Sequence, residues 1–247
     1  MVGRAAAILS RRRAATLAAL LAGLTLWEAY AGELRAVSDR WDVAVVAVVL
    51  IPATFGVVWA LLPLAPLRGL IPLALACGAV AVVCSLLELG ALFNSSKIVT
   101  YALLGFAFLL AFEALSWVVL VALIVPWADI VSVAAGPTKV IVEEEPGLFD
   151  RISISFRLPG EDASANLGPP DVVFLGLFLA TAQRYRLRVG ATWAATTALV
   201  SLTLVATYVL DVGGLPALPA VALGFLLPNA DLLWRSLRRG QGGRASA

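Results

Sequence analysis

Two aspartates sit inside membrane-length apolar sequence: Asp129 in SWVVLVALIVPWADIVSV and Asp171 in NLGPPDVVFLGLF. An ionisable side chain within a span is costly, so each marks a functional site by default. Asp129 precedes Gly136–Pro137, the outer end of its expected helix, by about eight residues, or ~12 Å at 1.5 Å per residue. Asp171 precedes Arg184, at the inner end of the next helix, by thirteen residues, or ~20 Å. In a hydrocarbon layer ~30 Å thick that leaves it ~10 Å beneath the outer face. Two consecutive antiparallel helices thus carry their acids at nearly the same depth. Facing carboxylates in a low-dielectric site share one proton and titrate as a coupled pair. One can then activate water while the other, protonated, polarises a peptide carbonyl, as in an aspartic protease. Gly168 has no side chain to block close approach, and a helix opened by Pro169 and Pro170 leaves irregular, hydrated backbone nearby. The same GPPD run also reads as an ordinary helix start, with proline at the first position and an acid complementing the dipole.

Other chemistries are poorly served. The chain has no histidine, which excludes a Ser–His dyad, a Cys–His pair and the HExxH zinc site. Its two lysines, Lys97 and Lys139, both fall in expected outer loops and leave little for a Ser–Lys pair. No metal site or cofactor is expected. Glu28, Glu113, Asp211 and Asp231 lie near span ends, where a carboxylate reaches interfacial water; Asp231 stands four residues before Arg235, a spacing that allows a helix-surface ion pair. Glu88 is deeper, and a buried hydrogen bond is the favoured reading. Cys77 and Cys84, seven apart on one helix face, read as packing residues rather than a disulfide framework.

The elements that must position the pair follow from composition. The 247 residues are 61% apolar and only 14% charged, whereas soluble domains run nearer half and a quarter. An integral membrane protein of about eight helices is expected, over 14–32, 42–63, 69–92, 98–113, 115–135, 169–184, 190–211 and 214–234. The fourth and fifth divide within a nearly uninterrupted run, with Glu113 to Ser116 the most polar place to turn. The run 14–32 follows three arginines but ends in Glu28, Tyr30 and Glu33 without a small-residue cleavage site, so it reads as a helix rather than a signal peptide. With eight spans, twelve of the 18 basic residues collect on the side of both termini, which the positive-inside rule makes cytoplasmic. The net charge of +2, without a basic aromatic surface, makes no case for nucleic acid.

The outer loop between the acids adds a further element. KVIVEE (Lys139–Glu144) and RISISFRL (Arg151–Leu158) have strand composition, and the second alternates, with Ile152, Ile154, Phe156 and Leu158 on one face. Pro146–Gly147 between them signals a turn. A short hairpin over the mouth of the acid pair is expected, with LPGEDASAN (Leu158–Asn166) as a flexible linker. Its open edge could accept an unwound substrate segment, with Ile152 and Ile154 in contact, or it could be a plain surface lid.

At these residues the sequence resembles the presenilin and signal peptide peptidase family. EALSWVVLVALIVPWADIVSV (Glu113–Val133) is similar to the helix of the family's first aspartate, and NLGPPDVVFLGLF resembles the second-aspartate segment. GLPALPAVALGFLLPN (Gly214–Asn229) carries the third signature, Pro-Ala-Leu, as Pro216, Ala217 and Leu218. The resemblance covers a little over half the chain, from Glu113 onward. It implies an intramembrane aspartyl protease in an all-α, presenilin-like bundle: Asp129 and Asp171 catalytic, with Gly168, Pro170 and Pro216–Leu218 shaping the site and substrate contact. Two departures stand out. Pro170 replaces the second glycine of the usual Gly-x-Gly-Asp, and Ala128 replaces the usual tyrosine. Eight spans instead of the usual nine suggest that one N-terminal helix is missing.

The organisation read from the chain is then 1–135 as N-terminal helices including that of Asp129, 136–168 as an extramembrane hairpin loop, 169–234 as the C-terminal helices and 235–247 as a basic polar tail. The expected activity is hydrolysis of peptide bonds in transmembrane or signal-peptide-like segments, in a prokaryotic plasma membrane. The expected partners are the bilayer and a transmembrane peptide. Two other readings use the same residues: a proton-coupled transporter, since paired intramembrane acids also relay protons, and an inactive relative that binds membrane helices.

Overall fold

The computed structural model describes residues 9–135, 151–161, 163–212 and 214–242. Among these lie eight helices and one antiparallel strand pair. The helices are α1 (Arg11–Glu33), α2 (Asp39–Leu64), α3 (Leu70–Leu86), α4 (Gly90–Ala111), α5 (Leu115–Ala135), α6 (Pro169–Arg184), α7 (Val189–Val209) and α8 (Leu218–Gly242). Five of them, α1, α2, α4, α5 and α7, are long and apolar enough to cross a membrane. The strands are β1 (Ile154–Arg157) and β2 (Ser164–Leu167), with Ile154 opposite Leu167 and Arg157 opposite Ser164.

Helices α2, α4 and α6 form the centre, and α1, α3, α5, α7 and α8 surround them. Lipid offers apolar side chains no gain over a protein interior, so close packing must hold such helices together. Glycines supply it between α4 and α6. A Cβ on Gly105 would collide with the Val173 carbonyl oxygen, and one on Gly176 would lie 3.0 Å from the Ala102 carbonyl oxygen. Phe178 of α6 stacks on Phe225 of α8 with ring centroids 4.8 Å apart and planes 8° from parallel.

Backbone groups freed inside the bundle find side-chain partners. Pro52 lacks an N–H, and a π turn at Val46–Leu50 precedes it within α2. The Ala47 carbonyl, five residues before that proline, accepts a hydrogen bond from Ser201 Oγ of α7 at 2.6 Å. That is the repair a broken ladder needs where no water is at hand.

Several expectations need correction. Helix α4 starts at Gly90, not near 98, because the α3–α4 break falls at Leu87–Leu89, where Glu88 adopts a left-handed φ of 57°. Glu88 is therefore exposed at a turn rather than in a buried hydrogen bond. Lys97, expected in a loop, is buried within α4 and donates to the carbonyls of Ser153 and, at 3.3 Å, Arg151. Among the described residues β1 pairs with β2, which follows it and occupies much of the expected linker; the expected partner Lys139–Glu144 lies outside the described residues. The turn between Ala111 and Leu115 falls where the polar residues around Glu113 placed it.

Candidate functional site

Asp171 stands in the first turn of α6, the most enclosed helix of the bundle. Its Oδ2 accepts a hydrogen bond from the Gly168 backbone N–H at 3.1 Å. A Cβ on Gly168 would lie 3.1 Å from that same oxygen, so the glycine lets the carboxylate fold back onto its own helix start. Only 7% of Asp171 is exposed. Pro169 and Pro170 occupy the first two helical positions, where a backbone N–H has no intrahelical acceptor and its loss costs little.

Asp129 lies on α5, one turn beyond Pro126. Its Oδ2 accepts a hydrogen bond from the Leu218 backbone N–H at 3.0 Å, at the start of α8. Leu218 closes the Pro216–Ala217–Leu218 run, and its side chain is buried while the two residues before it are half-buried. Helix α5 packs extensively on α8 and only narrowly on α6.

The two acids are held in parallel fashion. Each gives Oδ2 to one backbone N–H at a helix start, and among the described residues neither Oδ1 takes a hydrogen bond. Asp129 is half-buried, and its helix α5 contacts α6, which carries Asp171. The site is thus assembled from three helix segments that lie far apart in sequence. Among the described residues, no group of His, Cys, Asp and Glu is arranged to hold a metal ion.

The strand pair approaches this site along the chain, because β2 ends at Leu167 and α6 begins at Pro169. The bundle grips β1 by its outer edge. Asn94 Nδ2 donates to the Ser155 carbonyl at 2.8 Å while its Oδ1 accepts from the Ser155 N–H at 3.0 Å. Glu28 accepts from Ser155 Oγ at 2.8 Å and from the Arg157 N–H at 3.3 Å, and Trp27 Nε1 donates to the Arg157 carbonyl at 3.0 Å. Glu28, expected to meet interfacial water, therefore serves as a strand anchor. Ile154 and Phe156 of β1 point into the core, with Ile154 at 0% exposure. Ile152 lies before the strand and is exposed. The two isoleucines expected to touch substrate are therefore separated, and Ile154 is out of reach.

At the opposite end, Asp231 pairs with Arg235 at 2.7 Å, as the four-residue spacing allows, and also with Arg188 at 2.6 Å. Asp211 and Glu113 are exposed at turns, and Cys77 and Cys84 are unpaired thiols within α3. Sequence reading passed over Asn94 and Asp42, both buried polar residues. The Ser38–Asp39 helix-start pattern would have begun α2 at Asp39 and set Asp42 a turn inside it, rather than at the first residue of the expected span. No protein-family model, curated protein or solved structure matches this chain.

Proposed function

We propose that this chain is an intramembrane aspartyl protease of the presenilin and signal peptide peptidase type, with Asp129 and Asp171 as its catalytic pair. The observation that carries this reading is the hydrogen bond from Leu218 N–H to Asp129, which joins the first-aspartate helix to the Pro-Ala-Leu segment. The reading is supported further by the helices that carry the three family-like motifs, α5, α6 and α8, which contact one another. A water between the two Oδ1 atoms loses a proton to the ionised carboxylate as its oxygen bonds to the substrate carbonyl carbon. The protonated partner donates to the carbonyl oxygen. Collapse of the tetrahedral species breaks the C–N bond, and the leaving amine takes up the proton.

A helical substrate hides its carbonyls in i→i−4 bonds, which lipid does not replace. An unwound segment adds along β2, because the outer edge of β1 is taken by Asn94, Glu28 and Trp27. From β2 the segment runs toward Gly168 and Asp171. Pro170 leaves the protease competent on this reading, since the carboxylate is anchored through Gly168 N–H and not through residue 170.

The test is cleavage of a transmembrane reporter peptide by the protein reconstituted in liposomes, with Asp129→Asn and Asp171→Asn alongside. Each variant should lose roughly 10²–10⁴-fold in rate while keeping its melting profile. An intact reporter with the parent protein would overturn the reading, and proton-driven solute uptake in its place would establish transport.

A further inference from the structure

A second acidic site, built from other residues than the aspartate pair, lies at the hairpin end of the molecule. A cavity of about 320 Å³ opens between the start of α2, the strand pair and α7. Asp39, Asp42 and Glu161 line it, and Val43, Val46 and Leu204 supply apolar wall. Acids gathered at a helix start need no ligand by themselves, since the dipole tolerates them. Asp42 is the exception. It is only 4% exposed, and among the described residues its Oδ1 has no hydrogen-bond partner. A buried carboxylate oxygen without a donor is costly, and a native structure that keeps one calls for a missing partner.

The open oxygen calls for a donor, the three acids around it favour one that carries positive charge, and the wall requires tolerance of apolar surface. A metal ion fits poorly, because the described residues do not arrange a chelating group here. An alkylammonium group fits on both counts: its head meets the carboxylates while its methylenes lie along Val43, Val46 and Leu204. The volume falls within the range of small-ligand pockets.

We propose that this cavity binds a primary alkylammonium group, with Asp42 as its principal counter-ion and Asp39 and Glu161 as its rim. The site does not depend on the protease reading. Its position next to Ala165 of β2, three residues before Gly168, gives it a bearing on any polypeptide that adds there. That separation is ~10 Å of extended chain. The lysine side chain of a polypeptide and a free amine share this chemistry.

The experiment uses the full chain in nanodiscs of phosphatidylglycerol alone, which removes lipid amines. Calorimetric titration is run with n-butylammonium chloride and with n-butanol as the neutral match. Acetyl-Ala-Lys-Ala-amide and its norleucine analogue form the second pair. Saturable binding of the ammonium probes, absent for their neutral matches, is expected. It should weaken at least tenfold in Asp42→Asn and severalfold in Glu161→Gln, and stay unchanged in Glu113→Gln. A tripeptide tighter than butylammonium identifies a polypeptide as the source, and equal affinities identify a free amine. Failure to saturate, equal binding of the neutral probes, or undiminished binding in both Asp42→Asn and Glu161→Gln would overturn the proposal. The Glu161 variant keeps the test decisive if Asp42→Asn does not fold.

Discussion

Leu218 offers a clean separation between side chain and backbone at the residue scale. Its N–H is the donor that fixes Asp129, and it is also the first residue of α8, where proline is tolerated. Leu218→Pro should therefore lower reporter cleavage by roughly 10–100-fold, the worth of a hydrogen bond to a charged acceptor. Leu218→Val keeps the N–H and should retain most of the activity, with thermal unfolding recorded for both. The two aspartates were legible in the sequence because an acid within apolar surroundings has few explanations. Their backbone donors were not. A donor carried by every residue leaves no mark in composition, and Leu218 lies 89 positions from Asp129.

Elements add constraints that single residues do not reveal. The α4–α6 contact depends on glycines that let two backbones meet, so Gly105→Val forces the helices apart. The expected cost is about 1–3 kcal/mol, read as a lower midpoint in denaturant titration of micellar protein. The strand pair depends instead on α4 and α1 side chains. Asn94→Ala leaves both the N–H and the carbonyl of Ser155 without their partners. It should destabilise the hairpin by about 1–3 kcal/mol and speed amide exchange at Ser155 and Arg157 well beyond any change in the helix cores. Helix number was legible from apolar run length, and the α4–α5 turn from its polar residues. The start of α4 was not, because LFNSSKIVT is polar enough to pass for a loop. Tertiary contact with β1 for Asn94, and with the carbonyls of Arg151 and Ser153 just before it for Lys97, makes both acceptable inside a helix. The β2 strand was missed for a related reason: SANL has little strand propensity and owes its conformation to pairing with β1.

At the scale of the whole molecule, the hairpin, Glu88 and the Asp42 cavity gather at one end, while the Arg188–Asp231–Arg235 cluster and Glu113 gather at the other. The positive-inside rule leads to the expectation that the second end faces the cytoplasm. With Cys77 and Cys84 replaced by Ala, Gln183→Cys should react with a membrane-impermeant maleimide only from inside, and Val212→Cys only from outside. The reverse pattern would invert the orientation.

Helix α3 carries a last consequence. It presents Leu75, Val80, Val82, Val83 and Leu86 outward over only 17 residues, or ~26 Å. That is several ångströms less than a typical hydrocarbon layer. Were the bundle set in a bilayer, the lipid would have to thin or the helix stand nearly upright to cover this band. On the proposed protease reading, reporter cleavage should accordingly be fastest in lipids of shorter acyl chain and decline as the chains lengthen, so that membrane thickness acts as a setting on the protein.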